Sequence, residues 1–218
     1  MDSGERWLLD VVATFQIPIQ WLLASNVEAL LNRESHGLAA SEVANRLANL
    51  LDAGQIAVSR PVEIGGELLN LRGREVADAL TERSPETLYY GLTKSGGDLW
   101  ESIFHPSWEL YVDATEGPEP ERVEISSATR DLVDECVGHI YQGSLSSKLA
   151  IPGSHCWYHL QPWHATYWKT LPAGWRLEFR ASPSDTDMGL RPSEPQKAEY
   201  HRTEAFLQRI RRWRDDCG

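Results

Sequence analysis

A chain of 218 residues holds one large domain or two modest ones, since single cores usually serve about 100–200 residues. Its 41% hydrophobic and 24% charged residues exclude disorder, and the longest apolar runs, such as Trp21 to Ala24, fall short of the ~20 residues that cross a bilayer. A formal net charge of −11 opposes a phosphate backbone at long range, and three cysteines without CxxC spacing fit neither a disulfide framework nor a standard zinc knuckle.

Met1-Asp2-Ser3-Gly4-Glu5 carries acids and no basic flank, which is wrong for a signal peptide, so the expectation is a cytoplasmic protein. Trp7, Leu8, Val11, Val12 and Phe15 recur at helical spacing and predict a first helix that stops before Pro18. Pro18 suits a first helical position, and Ile19, Leu22, Leu23, Val27, Leu30 and Leu31 predict a second helix up to Ser35-His36-Gly37. Val43, Leu47, Leu50 and Leu51 predict a third from about Ser41, closed by Gly54. Ile56-Ala57-Val58 reads as a strand, Pro61 to Asn70 as a loop or hairpin tip, and Arg72 to Glu82 as a fourth helix with Val76 and Leu80 inward. Leu88 to Leu92 is a β-favouring run, after which Thr93 can cap a helix that buries Leu99, Trp100 and Ile103.

Ala114 to Glu121 is turn-rich and acidic, so a linker is expected over 114–121, between a domain at 1–113 and another at 122–218. Val123-Glu124-Ile125 alternates as a strand, and Ser126 or Ser127 is placed to cap a helix carrying Leu132, Val133, Cys136, Val137 and Ile140. His155 to Phe179 is dense in aromatics and predicts a small Trp-rich sheet, with Trp175 to Phe179 as a strand half exposed and half buried. Pro183 to Pro195 reads as a loop, and Phe206, Ile210 and Trp213 mark a C-terminal amphipathic helix rich in arginine. The fold class expected is α+β.

Three helices, a strand, a return and then Tyr90-Gly91-Leu92-Thr93-Lys94-Ser95-Gly96 resemble the end of a winged-helix domain of the MarR or PadR kind, in which a wing strand enters a helix through a Y-x-L-T-x-x-G turn. Leu50-Leu51-Asp52-Ala53-Gly54-Gln55-Ile56 resembles the way the helix before such a wing closes. More narrowly, the pattern through Gly97, Trp100 and Glu101, followed by Pro162 to Pro172, is similar to an uncharacterised group of bacterial proteins. The resemblance covers about half the chain and implies a winged-helix-like domain followed by a small α/β domain. It departs from DNA-reading relatives in placing a helix between Val58 and Leu88, where they keep a short basic hairpin.

If the third helix read DNA, its exposed side would offer several cations to phosphates, yet Asn45, Arg46 and Asn49 are its only candidates. The segment up to Asp113 holds about twice as many acids as bases. Trp157, Trp163 and Trp168 read either as core anchors or as a protein-binding patch. His155, Cys156, His159 and His164 are metal-ligating types, but strand alternation points Cys156 away from His155 and His159, so no metal and no cofactor are expected. No G-x-S-x-G elbow, P-loop or G-x-G-x-x-G is present, and Cys136 with His139 lacks a third partner, so no enzyme is expected. The expectation is a non-catalytic protein-binding protein of immunity or regulatory-adaptor type. The alternative is a DNA-binding transcriptional regulator, and a homo-oligomer stays open in either case.

Overall fold

The computed structural model describes residues 1–31, 36–60, 68–69, 71, 73–80, 87–116, 121–142, 148–183 and 193–214. The chain divides into two compact units, Met1–Ile103 with Thr166–Lys169, and Phe104–Ala165 with Thr170–Gly218. No helix among the described residues is long and apolar enough to cross a membrane.

In the first unit, α1 (Ser3–Asp10) opens on a capping box: the Asp2 carboxylate accepts the Glu5 N–H at 2.8 Å, and Glu5 accepts the Asp2 N–H in return. The expected extension of this helix to Phe15 does not form. Leu8, Val11 and Val12 are buried as the periodicity requires, Trp7 is half-buried and Leu9 is buried besides, but the chain leaves the helix after Asp10 and Phe15 is 54% exposed. Pro18 does not start a helix either. It ends β1 (Ile17–Pro18), an edge strand where its missing N–H costs no ladder bond. A 3-10 turn (Ile19–Leu22) then leads into α2 (Ala24–Leu31), so one expected helix is two pieces.

Helix α3 (Ala40–Asp52) buries Val43, Ala44, Leu47 and Leu50, and Gly54 behind it takes φ +66, a left-handed conformation that only glycine adopts without strain. β2 (Ile56–Ser59) and β3 (Leu68–Leu69) pair antiparallel, while positions 61–67 and 70 of the expected hairpin tip lie outside the described residues. α4 (Gly73–Leu80) buries Val76 and Leu80 as expected. β4 (Tyr89–Leu92) runs between β1 and β2, and the sheet order is β1-β4-β2-β3. Thr93 caps α5 (Lys94–Phe104): its Oγ1 accepts the Gly96 N–H at 3.0 Å and donates to the Gly54 carbonyl at 2.7 Å. Of the face expected inward, Trp100 is buried and Leu99 and Ile103 are half-buried.

In the second unit β5 (Val112–Glu116) pairs antiparallel with β6 (Arg122–Ser127), so Ala114 to Glu116 extend a strand where composition reads as linker. Positions 117–120 of that expected linker lie outside the described residues. Thr129, not Ser126 or Ser127, caps α6 (Arg130–Ile140), with Leu132 N–H donating to its Oγ1 at 3.3 Å. Ser127 is instead fully buried and donates to the Tyr111 carbonyl at 2.9 Å. β7 (Lys148–Ala150), β8 (Cys156–Leu160), the short pair β9 (Trp163–His164) and β10 (Thr170–Leu171), and the long β11 (Gly174–Pro183) follow. β11 is the axis of a five-stranded antiparallel sheet, with β6 on one side and β8 then β7 on the other.

The period of two decides which side chains this sheet buries. Leu177 and Phe179 on β11 and Val123 and Ile125 on β6 meet Leu132, Val133, Cys136 and Val137 of α6 in one core. Their alternates form an ion network on the other face, in which Arg122 and Arg176 each bridge the cross-strand pair Glu124 and Glu178. The final helix, α7 (Glu194–Arg211), buries Phe206 against that core, and Leu207 and Ile210 are packed on it. The expected loop ahead of it is shorter than composition implies, because Pro183 closes β11 and Pro195 sits in the first turn of α7; positions 184–192 lie outside the described residues. The expected α+β class is what forms.

Candidate functional site

Three places carry the residues singled out by sequence: the outward face of α3, a slot in the first unit that holds Tyr167 and Trp168, and the aromatic cluster of the second unit.

On α3 the inward positions are spent on the core, which leaves Ser41, Glu42, Asn45, Asn49 and Asp52 exposed. Arg46 is not available in the same way. Its Nε lies 3.2 and 3.1 Å from the two Asp2 carboxylate oxygens, its Nη2 lies 3.1 Å from Oδ2, and Glu42 is 4.0 Å from Nη1. The N–H of Glu5 and the Arg46 guanidinium together hold the Asp2 carboxyl below its ordinary range, and Asp2 raises Arg46 in turn. Arg46 also lies over Gly4, where an added Cβ would stand 2.8 Å from Nε. The one cation of this face is therefore tied to the cap of α1, and the exposed remainder is neutral or acidic.

The slot is built by backbone groups and two glycines. Tyr167 donates its O–H to the Val12 carbonyl at 2.6 Å and accepts the Leu92 N–H at 2.5 Å. The residue as a whole is 41% exposed, yet burial of its phenol group raises it well above its ordinary range. Trp168 donates Nε1–H to the Ala13 carbonyl at 2.8 Å and meets Trp100 edge to face at 6.0 Å. A Cβ at Gly97 would lie 2.0 Å from the Trp168 ring, and one at Gly91 would lie 2.8 Å from the Tyr167 hydroxyl. Lys169 closes the end with Nζ 2.5 Å from Glu101, both side chains being mostly buried. Trp100 is fixed by Asp10, which accepts its Nε1–H at 3.1 Å.

Of the three tryptophans read as a protein-binding patch, Trp168 is thus engaged within its own chain. Trp163 is 2% exposed, packed with Tyr111 at 6.3 Å over Gly174, where a Cβ would come within 2.5 Å of its ring. It cannot meet a partner without leaving this cluster. Trp157 is half-buried, packed against the core of its unit and beside Trp175, with the Arg130 guanidinium 4.5 Å above its ring.

His159 stacks on Trp175 at 4.6 Å, His155 meets Phe179 edge-on, and His164 Nδ1 lies 2.9 Å from Thr170 Oγ1. Among the described residues, no group of three or more His, Cys, Asp or Glu side chains is placed to hold a metal ion. Cys136 is buried, and burial together with the Glu135 charge pushes its thiol up to about 12. A groove of about 670 Å³ in this unit is walled mainly by Leu149, Ala150, Ile151 and Pro152 with His155 at its side, a largely apolar lining.

Sequence reasoning missed Tyr167, Asp2 and the role of the glycines. A glycine inside a strand or a helix signals close approach of another group, and Gly91 and Gly97 carry that signal. No family model, curated protein or solved structure matches this chain.

Proposed function

We propose that this is a non-catalytic binding protein, of the immunity or regulatory-adaptor kind, whose first unit is winged-helix-like and meets a partner protein through α3. The element order helix, strand, helix, helix, strand, strand, helix, strand, with the last of these, β4, between β1 and β2, supports the winged-helix reading with α4 as an insertion ahead of β4, and α3 then takes the recognition position. The observation that carries the choice of partner is the clasp of Arg46 by Asp2. A helix whose single guanidinium is neutralised, and whose exposed side chains are Ser41, Glu42, Asn45, Asn49 and Asp52, lacks the phosphate contacts that supply most affinity for duplexes. The net charge of −11 acts in the same direction and favours a basic protein surface.

The test uses the full-length chain as tagged bait beside a Glu42→Lys, Asp52→Lys variant. A partner held by the first and released by the second is expected. Retention of the same protein by both baits places the contact elsewhere, and retardation of duplex DNA by a chain that captures no protein overturns the reading.

The second reading, a DNA-binding transcriptional regulator, rests on the position of α3. It requires duplex binding that weakens steeply with salt and weakens again in Asn45→Ala and Asn49→Ala, both of which remove exposed side chains without disturbing the Asp2 clasp.

A further inference from the structure

The slot that holds Tyr167 and Trp168 has the features of a ligand site more than those of a core. Its occupant is four residues long and remote in sequence, and among the described residues it is the part beyond Ile103 that belongs to the first unit. The core of that unit is drawn mainly from residues Leu8 to Trp100, among them Leu47, Ile56 and Tyr90, and the segment adds Trp168, edge to face on Trp100. What the segment meets is a set of polar points, the carbonyls of Val12 and Ala13 and the N–H of Leu92, between two glycines that leave ring-sized room. Both sides of the Tyr167 hydroxyl are read, once by a donor and once by an acceptor, and a carboxylate at Glu101 awaits the following cation. Tyrosine, tryptophan and lysine are thus each recognised by a different group.

We propose that the first unit carries a recognition site for a Tyr-Trp-Lys tripeptide, filled here in cis by Tyr167–Lys169, and that the same tripeptide supplied by another chain enters it when the cis copy is withdrawn. The site is separate from the face of α3, so it can stand or fall without the protein-binding reading. A tethered ligand acts at an effective concentration of about 1 mM, so a free peptide of micromolar affinity is held off roughly a hundredfold or more while the cis copy is seated. Binding in trans is therefore conditional on release of the segment.

The experiment is fluorescence anisotropy with a labelled peptide of the sequence from Trp163 to Leu171, titrated with full-length wild type and with the full-length Tyr167→Ser, Trp168→Ser variant. Saturable binding to the variant, at least about a hundredfold weaker to wild type, is expected. Adding Gly97→Val to the variant is expected to abolish it, because the side chain fills the space of the indole. A peptide with phenylalanine in place of the tyrosine is expected to bind roughly tenfold more weakly, through the two hydrogen bonds lost. No binding to the folded variant, or equal binding to all three proteins, overturns the proposal. Should the variant fail to fold, hydrogen exchange on wild type decides. Exchange of the Leu92 amide through an opening that leaves Leu47 and Leu50 protected supports a releasable segment, and exchange only with global unfolding makes the segment core and removes the site.

Discussion

At the scale of single residues, Gly96 and Thr93 lock the entry of α5 against the turn that follows α3. An added Cβ at Gly96 would stand 1.7 Å from the Gln55 carbonyl oxygen, a backbone atom that cannot swing aside. Gly96→Ala is expected to cost about 3 kcal/mol or more in urea unfolding, as overpacking against immovable atoms does. Thr93 fastens the same turn from its other side. Thr93→Ala removes both the cap on α5 and the bond to Gly54, and is expected to cost about 1–2 kcal/mol, with Thr93→Ser recovering most of it. In the second unit Cys136 is buried with its thiol pushed up to about 12, whereas Cys156 is exposed. Peptide mapping after brief treatment with an alkylating reagent at pH 8 should find Cys156 modified and Cys136 intact until denaturant is added. Modification of Cys136 in the folded chain would contradict its burial.

At the scale of elements, helical and strand periods were written clearly in the chain, while the breaks between elements and most caps were not. The stripe of α3 was legible because its burial follows one helical period, and β4, buried at Tyr90, Gly91 and Leu92 in succession, was legible from its β-favouring residues and the cap at Thr93. The first helix reads too long because Val11 and Val12 are buried by tertiary packing outside the helix, which keeps the apolar rhythm going after the hydrogen bonds have stopped. Pro18 fits a helix start or an edge strand equally well, and pairing with β4 decides between them. The cap of α6 falls two or three positions past the expected Ser126 or Ser127 because these and Thr129 are all capable acceptors; Ser127 is turned inward to Tyr111. The Trp163 cluster belongs to this scale as well. Trp163→Ala empties the space between Tyr111 and Gly174 and is expected to destabilise the second unit by about 3–5 kcal/mol, read by chemical denaturation.

At the scale of the whole molecule, charge sets the response to acid. Two carboxyl groups respond in opposite senses. Asp2 is held low, by the Glu5 N–H first and then by Arg46, so its contribution is present above the ordinary carboxylate range and is lost as pH falls through its folded value. Asp113 is raised, by burial first and then by the Glu124 charge, so the folded state takes up its proton before the unfolded chain does. Acidification from neutrality through that upper window therefore relieves a penalty. Asp113→Asn is expected to raise the thermal midpoint at pH 7 and to leave it unchanged near pH 3, where the wild-type carboxyl is already neutral. An equal shift at both values would assign the effect to packing instead of charge.

What the sequence by itself determined was the class, the acidic character and the inward face of each long element, because those depend on period and composition, which are local. It also contained both halves of the slot, Gly91 and Gly97 on one side and Tyr167, Trp168 and Lys169 on the other. Only the tertiary structure brought them together, since nothing in a linear pattern states which remote segment fills the room a glycine leaves. The same holds for Arg46, a free cation by sequence and a clasped one in the fold, because its partner Asp2 is separated from it along the chain and is aimed by the cap of a different helix.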